Sequence, residues 1–305
     1  MSETILAVDN LVKNYRAFRA VDGISFAIPR GKVVGFLGPN GAGKTTTIQI
    51  LMGITLANGG SIRYFDMDFA RHRLACLQRI NFTSAFNTLL GRITVFENLL
   101  VFAGLYQVPR ARQKIRDLMA TFEIPDLGNE FYKNLSAGQR TRVNLVKSLL
   151  NDPEIILMDE PTASLDPDIS DKTLTLIEKL RAERNLSILY TSHNMDEVTR
   201  ICDEVIFLDH GKIVAQDTPR NLTKLITGAS LSLHIAGGSA ALVPYLEAQK
   251  LQFTLPDAQS VRVQTEESQI PAVLFGISQA GVTISDIEIR KPTLEDVFLD
   301  FARKR

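Results

Sequence analysis

A glycine-rich loop with one lysine and adjacent threonines is the segment of this sequence best suited to chemistry. Residues 38–46 read GPNGAGKTT and fit the phosphate-binding pattern G-x-x-x-x-G-K-[ST] at every fixed position. A buried strand over 32–37 and a helix over 45–52 are predicted to flank the loop and to aim backbone N–H groups at one point. In this arrangement Lys44 reaches the β- and γ-phosphates and the Thr45 hydroxyl holds Mg²⁺.

The loop therefore predicts a nucleoside triphosphatase. The alternative is an accidental glycine-rich turn, which the flanking strand and helix disfavour. The residues predicted to surround the phosphates are Gly38, Pro39, Asn40, Gly41, Ala42, Gly43, Lys44, Thr45 and Thr46.

A second segment, residues 135–139 (LSAGQ), precedes a predicted helix over 140–150. Ser136 is a candidate N-cap, and Gly138 leaves the backbone accessible at the helix end. Free N–H groups and the helix dipole make such an end suitable for an anion. Taken alone the segment would be an ordinary N-cap; its position before two carboxylates favours the anion site.

The two carboxylates are Asp159 and Glu160, which follow the apolar run 155–158 (IILM). A buried strand that ends here would direct Asp159 towards Mg²⁺ opposite Thr45, and Glu160 towards the attacking water. His193 follows another predicted strand, 187–192, and would reach the γ-phosphate. Surface charges and a structural histidine are the alternatives, and the preceding buried strands disfavour both.

The elements around these residues predict an α/β fold. Short strands alternate with helices, which indicates a mainly parallel sheet covered on both faces, a P-loop NTPase cassette. Residues 1–226 are assigned to the cassette, and a block of helical periodicity over about 69–150 is predicted to be an inserted helical subdomain. Residues 227–305 read as a small α+β C-terminal domain of order βαββαβ with a last helix capped by Thr293.

Composition limits the classes of function. The chain has 305 residues, and Lys+Arg and Asp+Glu both total 34, so a neutral chain is expected not to bind nucleic acid. Its uncharged stretches are too polar to span a membrane, and its N-terminus does not read as a secretory signal. Cys76 and Cys202 are expected to be reduced, as in a cytoplasmic protein.

In their order along the chain these segments resemble the ATP-binding-cassette (ABC) ATPases, the motor subunits of ABC transporters, over about residues 4–220. Residues 38–46 match the Walker A loop and residues 155–159 the Walker B strand. Residues 135–139 match the LSGGQ signature, with Ala137 in place of its first glycine. The resemblance implies that the nucleotide is ATP with Mg²⁺.

The resemblance also assigns single residues. It makes Glu160 the catalytic glutamate, His193 the switch histidine, and Asp166 part of the D-loop at 164–166. Tyr15 falls where the family places the aromatic ring that stacks on adenine, with Phe18 a nearby competitor.

The resemblance further implies a homodimer, because in the family the signature serine reaches the nucleotide of a second cassette. Ser136 and Gly138 would contact the γ-phosphate held by the partner copy, and Gln139 is assigned to the same nucleotide site. ATP would then hold two copies together until hydrolysis releases them.

One family residue has no counterpart. A glutamine that touches Mg²⁺ and the transport partner is expected near Ser84 or Ala85, and this stretch contains none. Asn81, Ser84 and Asn87 are the candidates to replace it through water, whereas Gln78 lies too early. We therefore expect slower or differently gated hydrolysis, not its absence.

The leading hypothesis is a cytoplasmic ATPase subunit, peripheral at the inner face of the cell membrane, that drives a separate permease in export. Docking is expected on residues 82–95, and the ending 291–299 (KPTLEDVFL) is similar to that of cassettes serving ABC-2 exporters. The C-terminal domain would be a dimer contact or regulatory appendage. The alternatives are an ABC ATPase without a transport role and a degenerate cassette that binds ATP without turnover.

Overall fold

Contacts between elements divide the chain into two compact units, residues 1–219 and 220–305. The computed structural model describes residues 3–86, 88–163, 165–225, 228–279 and 282–303. Asn87 and Ser164, which belong to two of the predicted motifs, lie outside the described residues, as does the predicted boundary between 226 and 227. The domain limits assigned from the sequence therefore stay a prediction.

The strands of the first unit form two sheets. They are β1 (Thr4–Tyr15), β2 (Phe18–Pro29), β3 (Val33–Leu37), β4 (Gly59–Tyr64), β5 (Met67–Asp68), β6 (Ile80–Ser84), β7 (Ile155–Asp159), β8 (Ser187–Thr191), β9 (Glu204–Asp209) and β10 (Lys212–Asp217). The first sheet is antiparallel with the order β2-β1-β4-β5. The second has the order β10-β9-β3-β8-β7-β6.

The second sheet brings the predicted functional segments to one edge. Strands β3, β6, β7, β8 and β9 run parallel, and only the hairpin strand β10 is antiparallel within this sheet. Every residue of β3 and β8 is buried, as expected for central strands covered on both faces. Because parallel strands end at the same edge, the loops after β3, β7 and β8 meet there. The α/β fold with a mainly parallel sheet is confirmed.

The helices of the first unit are α1 (Lys44–Leu51), α2 (Arg73–Leu77), α3 (Val95–Leu105), α4 (Ala111–Thr121), α5 (Ala137–Ser148), α6 (Pro167–Arg184), α7 (Met195–Ile201) and α8 (Pro219–Thr223). Short 3₁₀ segments cover Pro125–Asn129 and Tyr132–Asn134. In the described part of the chain, no helix combines the length and apolar character needed to cross a bilayer.

The helical block predicted over 69–150 needs a correction. Strand β6 lies inside that range and pairs in parallel register with β7, so the block is interrupted by the sheet's edge strand. Its five residues, INFTS, are too few for a period-2 pattern to be recognised, and Asn and Ser weaken the strand signal. Only pairing with β7 identifies it.

The second unit contains a four-stranded antiparallel sheet, and two of its helices pack against the apolar face of that sheet. Its elements are β11 (Ala229–Ala236), α9 (Val243–Ala248), β12 (Gln252–Thr254), β13 (Ser260–Thr265), α10 (Ile270–Gln279), β14 (Thr283–Arg290) and α11 (Leu294–Arg303), with 3₁₀ segments at Ser239–Leu242 and Glu267–Gln269. The sheet order β12-β13-β11-β14 is that of a ferredoxin-like βαββαβ unit. Thr293 caps α11 as predicted, since its Oγ1 accepts a hydrogen bond from the Asp296 N–H at 3.3 Å.

Candidate active site

The loop between β3 and α1 forms a backbone cradle that glycine makes possible. A Cβ on Gly43 would lie 2.5 Å from the Ala20 carbonyl oxygen, and its φ of +106° is a left-handed value. A Cβ on Gly41 would meet nothing within 4 Å, so this residue borders open space. The loop is held from behind, because the Gly211 N–H donates to the Ala42 carbonyl at 3.0 Å. A cradle packed on one side and open on the other suits a phosphate chain.

Lys44 begins α1 and lies inside this cradle. Its Nζ donates to the carbonyl oxygens of Gly38 at 2.5 Å and Pro39 at 3.2 Å, and the residue is buried. Burial lowers the pKa of the ammonium, while the charges of Glu160 and Asp159 act in the opposite direction. The lysine therefore lies within electrostatic range of both carboxylates. The next residue, Thr45, is exposed in the first turn of the helix.

Asp159 ends β7 with its carboxylate oriented by a neighbouring strand. The Thr191 hydroxyl, at the end of β8, donates to Asp159 Oδ1 at 2.7 Å. The same threonine fixes the following turn, since Glu160 N–H donates to the Thr191 carbonyl at 3.1 Å. Glu160 has a φ of +50°, a left-handed conformation that is uncommon outside glycine and is concentrated at functional sites. The sequence interpretation missed Thr191, whose only signal was its place at the end of a buried strand.

Glu160 and His193 form a direct pair. Glu160 Oε1 and His193 Nε2 are 2.7 Å apart, and the histidine side chain is half exposed while the glutamate is largely covered. In this geometry the carboxylate oxygen accepts the Nε2–H of the imidazole. The structure thus joins two groups that the sequence placed 33 residues apart, and leaves the imidazole accessible to a ligand.

The segment at 135–139 caps α5 in the predicted way. Ser136 Oγ accepts from Gln139 N–H at 3.3 Å, and Gln139 Oε1 accepts from Ser136 N–H at 2.9 Å, which is a complete capping box. A Cβ on Gly138 would lie 2.7 Å from Ile169 Cγ2, so α5 approaches α6 closely here. Asp166 joins these residues in one open cleft of about 410 Å³. The cleft presents an exposed helix N-terminus.

Comparison with known proteins decides the family. The model of the ABC transporter family matches residues 21–163. The Nod factor export ATP-binding protein I of Ralstonia nicotianae is 36% identical over 223 residues, which are 72% of this chain and 69% of that protein. The daunorubicin/doxorubicin resistance ATP-binding protein DrrA of Streptomyces peucetius is 31% identical over 304 residues, 96% of this chain and 91% of that protein.

This chain belongs to the ABC transporter ATP-binding proteins. Among solved structures, cbiO1 of Clostridium perfringens, described as part of the ABC transporter complex cbiONQ, superposes with a TM-score of 0.67 at 27% identity, covering 73% of this chain and 92% of that one. The predictions of an ABC cassette fold and of an ATP-hydrolysing motor subunit that acts with a separate permease are confirmed.

Within this ABC cassette the predicted adenine platform lies at the tip of the β1–β2 hairpin. Tyr15 and Phe18 are cross-strand partners, and both rings are exposed. Lys13 Nζ lies 5.0 Å from the centre of the Tyr15 ring. Either ring is available for stacking, so the assignment of Tyr15 stays a prediction.

The family glutamine that this chain lacks is expected near Ser84 or Ala85, at the end of β6. Ser84 ends β6 directly opposite Asp159 in the parallel register, and its Oγ accepts from Phe86 N–H at 3.2 Å. Asn81 lies earlier in the strand, where its side chain donates to Asn151 Oδ1 at 2.7 Å. Of the candidates that the structure describes, Ser84 alone lies beside the Walker B carboxylate.

The oxygen donors at this edge fit Mg²⁺. Thr45 and Ser84 supply hydroxyls and Asp159 a carboxylate, and Mg²⁺ is commonly held by one or two carboxylates together with substrate phosphates. Within the described ranges no group of three or more His, Cys, Asp or Glu side chains could hold a metal alone. The donor set therefore suits a metal that arrives with a nucleotide.

Proposed function

We propose that this ABC ATPase binds MgATP between two copies of its cassette and uses hydrolysis to drive export through a separate permease. The observation that carries the proposal is the Glu160–His193 pair at 2.7 Å, formed at the sheet edge that also holds Asp159 and buried Lys44. A general base, an orienting partner and a phosphate-binding lysine are the groups that phosphoryl transfer to water requires.

Each residue has a role in the proposed reaction. Lys44 would exchange its carbonyl partners for phosphate oxygens, and Thr45 and Asp159 would hold the metal. Bound Mg²⁺ would neutralise charge that develops on the phosphates. Glu160 orients or deprotonates the attacking water, and His193 keeps that carboxylate in place and approaches the γ-phosphate through its accessible ring.

The proposal of a second copy rests on the cleft lined by Ser136, Gly138 and Asp166, called here the signature cleft. Neither Lys44 nor Glu160 is among the described residues that line it. Its helix N-terminus is suited to an anion, and Gln139 stabilises that end through the capping box. A nucleotide held by a partner's loop would supply the anion, so each site would be completed by two copies.

A permease partner is proposed to dock on residues 82–95, which would place the chain at the inner face of the cell membrane. Phe86 and Leu90 are 69% and 63% exposed in this segment. Buried Asn98 holds the loop, accepting from Leu90 N–H and donating to the Leu90 carbonyl, both at 2.9 Å. A segment that exposes Phe86 and Leu90 and follows Ser84, which lies beside Asp159, is suited to pass a partner's movement to the metal site. The names of the relatives support export.

The test is Mg²⁺-dependent ATP hydrolysis by the purified chain, alone and with its permease. His193→Ala should lower kcat by about 100-fold or more, since the orienting partner of the base is removed. His72→Ala is the control, because His72 is exposed at the start of α2, outside the site. Absence of hydrolysis by the unmodified chain in both conditions would instead support a degenerate cassette that binds ATP without turnover.

A further inference from the structure

A buried carboxylate behind the catalytic pair accepts hydrogen bonds from four side-chain hydroxyls. Glu197, in the first turn of α7, is 7% exposed. Its Oε2 accepts from Thr162 Oγ1 at 2.7 Å and from the Tyr190 hydroxyl and Ser192 Oγ, each at 2.9 Å. Its Oε1 accepts from Ser170 Oγ at 2.9 Å. Both carboxylate oxygens are thus supplied with donors.

A carboxylate buried at this position needs hydrogen-bond partners. Burying an ionised carboxylate is unfavourable unless hydrogen bonds compensate it. The hydroxyl dipoles and the N-terminus of α7 provide that compensation for Glu197. Removing the carboxylate would leave several buried hydroxyls without an acceptor.

Two of the donors belong to the segments that carry the catalytic pair. Thr162 lies two residues after Glu160, and Ser192 directly precedes His193. One oxygen atom, Glu197 Oε2, therefore ties both segments together behind the 2.7 Å contact between Glu160 and His193. Ser192 Oγ also accepts from Asn194 N–H at 3.0 Å, which fixes the turn on the far side of the histidine.

Packing restrains these segments on one side only. A cleft of about 420 Å³ is lined by Glu160, Ala163, His193 and Asn194, with Glu197 at its wall. The Glu160 N–H, which donates to the Thr191 carbonyl, already joins the two loops at their start. The hydrogen bonds to the Glu197 carboxylate add a second connection, further along both loops.

We propose that Glu197 is a positioning residue that sets the distance between the catalytic glutamate and the switch histidine by holding Thr162 and Ser192 on one oxygen atom. The inference rests on the proposed function, because it concerns how the pair is kept ready for hydrolysis. Glu197 touches neither nucleotide nor water in this account. It acts only through the two loops.

The test removes single hydroxyls from the cluster. Ser192→Ala should lower kcat roughly tenfold, because small displacements of catalytic groups have large effects on rate. The KM for ATP and the affinity for ADP should not change, since the phosphate loop is untouched. Ser170→Ala is the matched control: it removes a hydroxyl from the same carboxylate, but on α6 rather than on a catalytic loop, and should retain kcat within about twofold.

A conservative variant separates positioning from stability. Glu197→Gln keeps an acceptor oxygen for the Oε2 cluster and offers an amide N–H to the Ser170 oxygen, so it should retain much of the activity that Glu197→Ala loses. Amide hydrogen exchange gives a readout independent of hydrolysis. It should rise at residues 160–163 and 192–194 together in Glu197→Ala and Ser192→Ala, and not in Ser170→Ala.

Two results would overturn the inference. One is an equal loss of kcat in Ser192→Ala and Ser170→Ala; the other is unchanged kcat and exchange in Ser192→Ala, which is expected to fold even if Glu197→Ala does not. Failure of the proposed function has a different signature. In that case the unmodified chain hydrolyses no ATP, while the coupled exchange of the two loops still tests the positioning role.

Discussion

The two nucleotide-facing regions of the cassette are built in different ways. At the sheet edge, Asp159 and Glu160 are held by direct hydrogen bonds to Thr191 and His193. In the signature cleft, Ser136 is hydrogen-bonded within its own helix cap and faces open space. The first region is preorganised for chemistry within one chain. The second presents an exposed helix N-terminus, which is suited to the anion that we propose a second copy supplies.

The two regions are joined by a buried lysine. Lys147, on the signature helix α5, donates from Nζ to Asn81 Oδ1 at 3.2 Å and to the Phe82 carbonyl at 3.0 Å, and lies 5.4 Å from the centre of the Phe102 ring. Both acceptors belong to β6, the strand that ends beside Asp159. Burial lowers the pKa of this ammonium to about 8.

The largest expected effect is at the sheet edge. Glu160→Gln should lower kcat by roughly 10²- to 10⁴-fold, the usual contribution of a general base, while ATP binding persists because Lys44 and the loop remain. Steady-state phosphate release and nucleotide titration measure the two quantities. Glu183→Gln, an exposed carboxylate near the end of α6, is the control. Equal hydrolysis rates for Glu160→Gln and the unmodified chain would show that Glu160 is not the general base.

The second-largest effect is expected when a variant of the signature cleft is mixed with a variant of the sheet edge. Ser136→Asp keeps an equally good N-cap but places a negative charge against the proposed phosphate, so this variant alone should hydrolyse almost no ATP. Mixing it with Glu160→Gln should restore hydrolysis, because one site of the mixed dimer then combines an intact base with an intact signature. Thr94→Asp makes the same cap exchange on α3, in the proposed docking segment, and should stay active when hydrolysis is measured without the permease. If the mixture were as inactive as its two components, Ser136 would act on the nucleotide of its own chain and not on that of a second copy.

A smaller effect concerns the missing glutamine. Ala85→Gln, one residue beyond the buried Ser84, should change the hydrolysis rate and its Mg²⁺ dependence by up to about tenfold, as outer-shell changes at metal sites do. Thr88→Gln, at an exposed position nearby, is the control, and both variants are measured without the permease because both positions lie in the proposed docking segment. An identical rate and an identical Mg²⁺ titration in Ala85→Gln would show that this chain needs no side chain of that reach.

The smallest effect on hydrolysis, and the clearest on stability, is at Lys147. Because its pKa is about 8 in the folded chain and 10.5 in the unfolded one, the unfolded chain binds more protons between these values. The free energy of unfolding should therefore rise with pH through this window, by about 3 kcal/mol at most. Denaturation of the unmodified chain and of Lys147→Met at several pH values isolates the contribution of Lys147 to the free energy of unfolding. If the difference in this free energy between the two proteins did not vary with pH, the lowered pKa of Lys147 would be contradicted.

Sequence was sufficient where the backbone itself needs particular residues. The loop glycines, the Ser136 cap and the Thr293 cap have local physical causes, so their predictions required no partner strand. The strand before the two carboxylates was predictable for a similar reason. A short run of large apolar residues that ends in Asp159 is typical of a buried strand.

Sequence was insufficient where function depends on neighbours across the sheet. Strand β6 has no recognisable period, and only its register with β7 shows that Ser84 lies opposite Asp159. Thr191 and Glu197 are single polar residues whose roles come from partners brought together by folding. No local sequence pattern distinguishes these two buried residues from threonines and glutamates at the surface.

The association state of Glu160→Gln with ATP and Mg²⁺ tests the central claim most directly. Mass measurement in solution should show two copies with ATP and one with ADP, because the terminal phosphate completes the contact to Ser136 and Gly138. Introducing Lys44→Ala into the same variant should abolish the pairing. A single-copy mass with ATP, or pairing that survives loss of Lys44, would contradict the account.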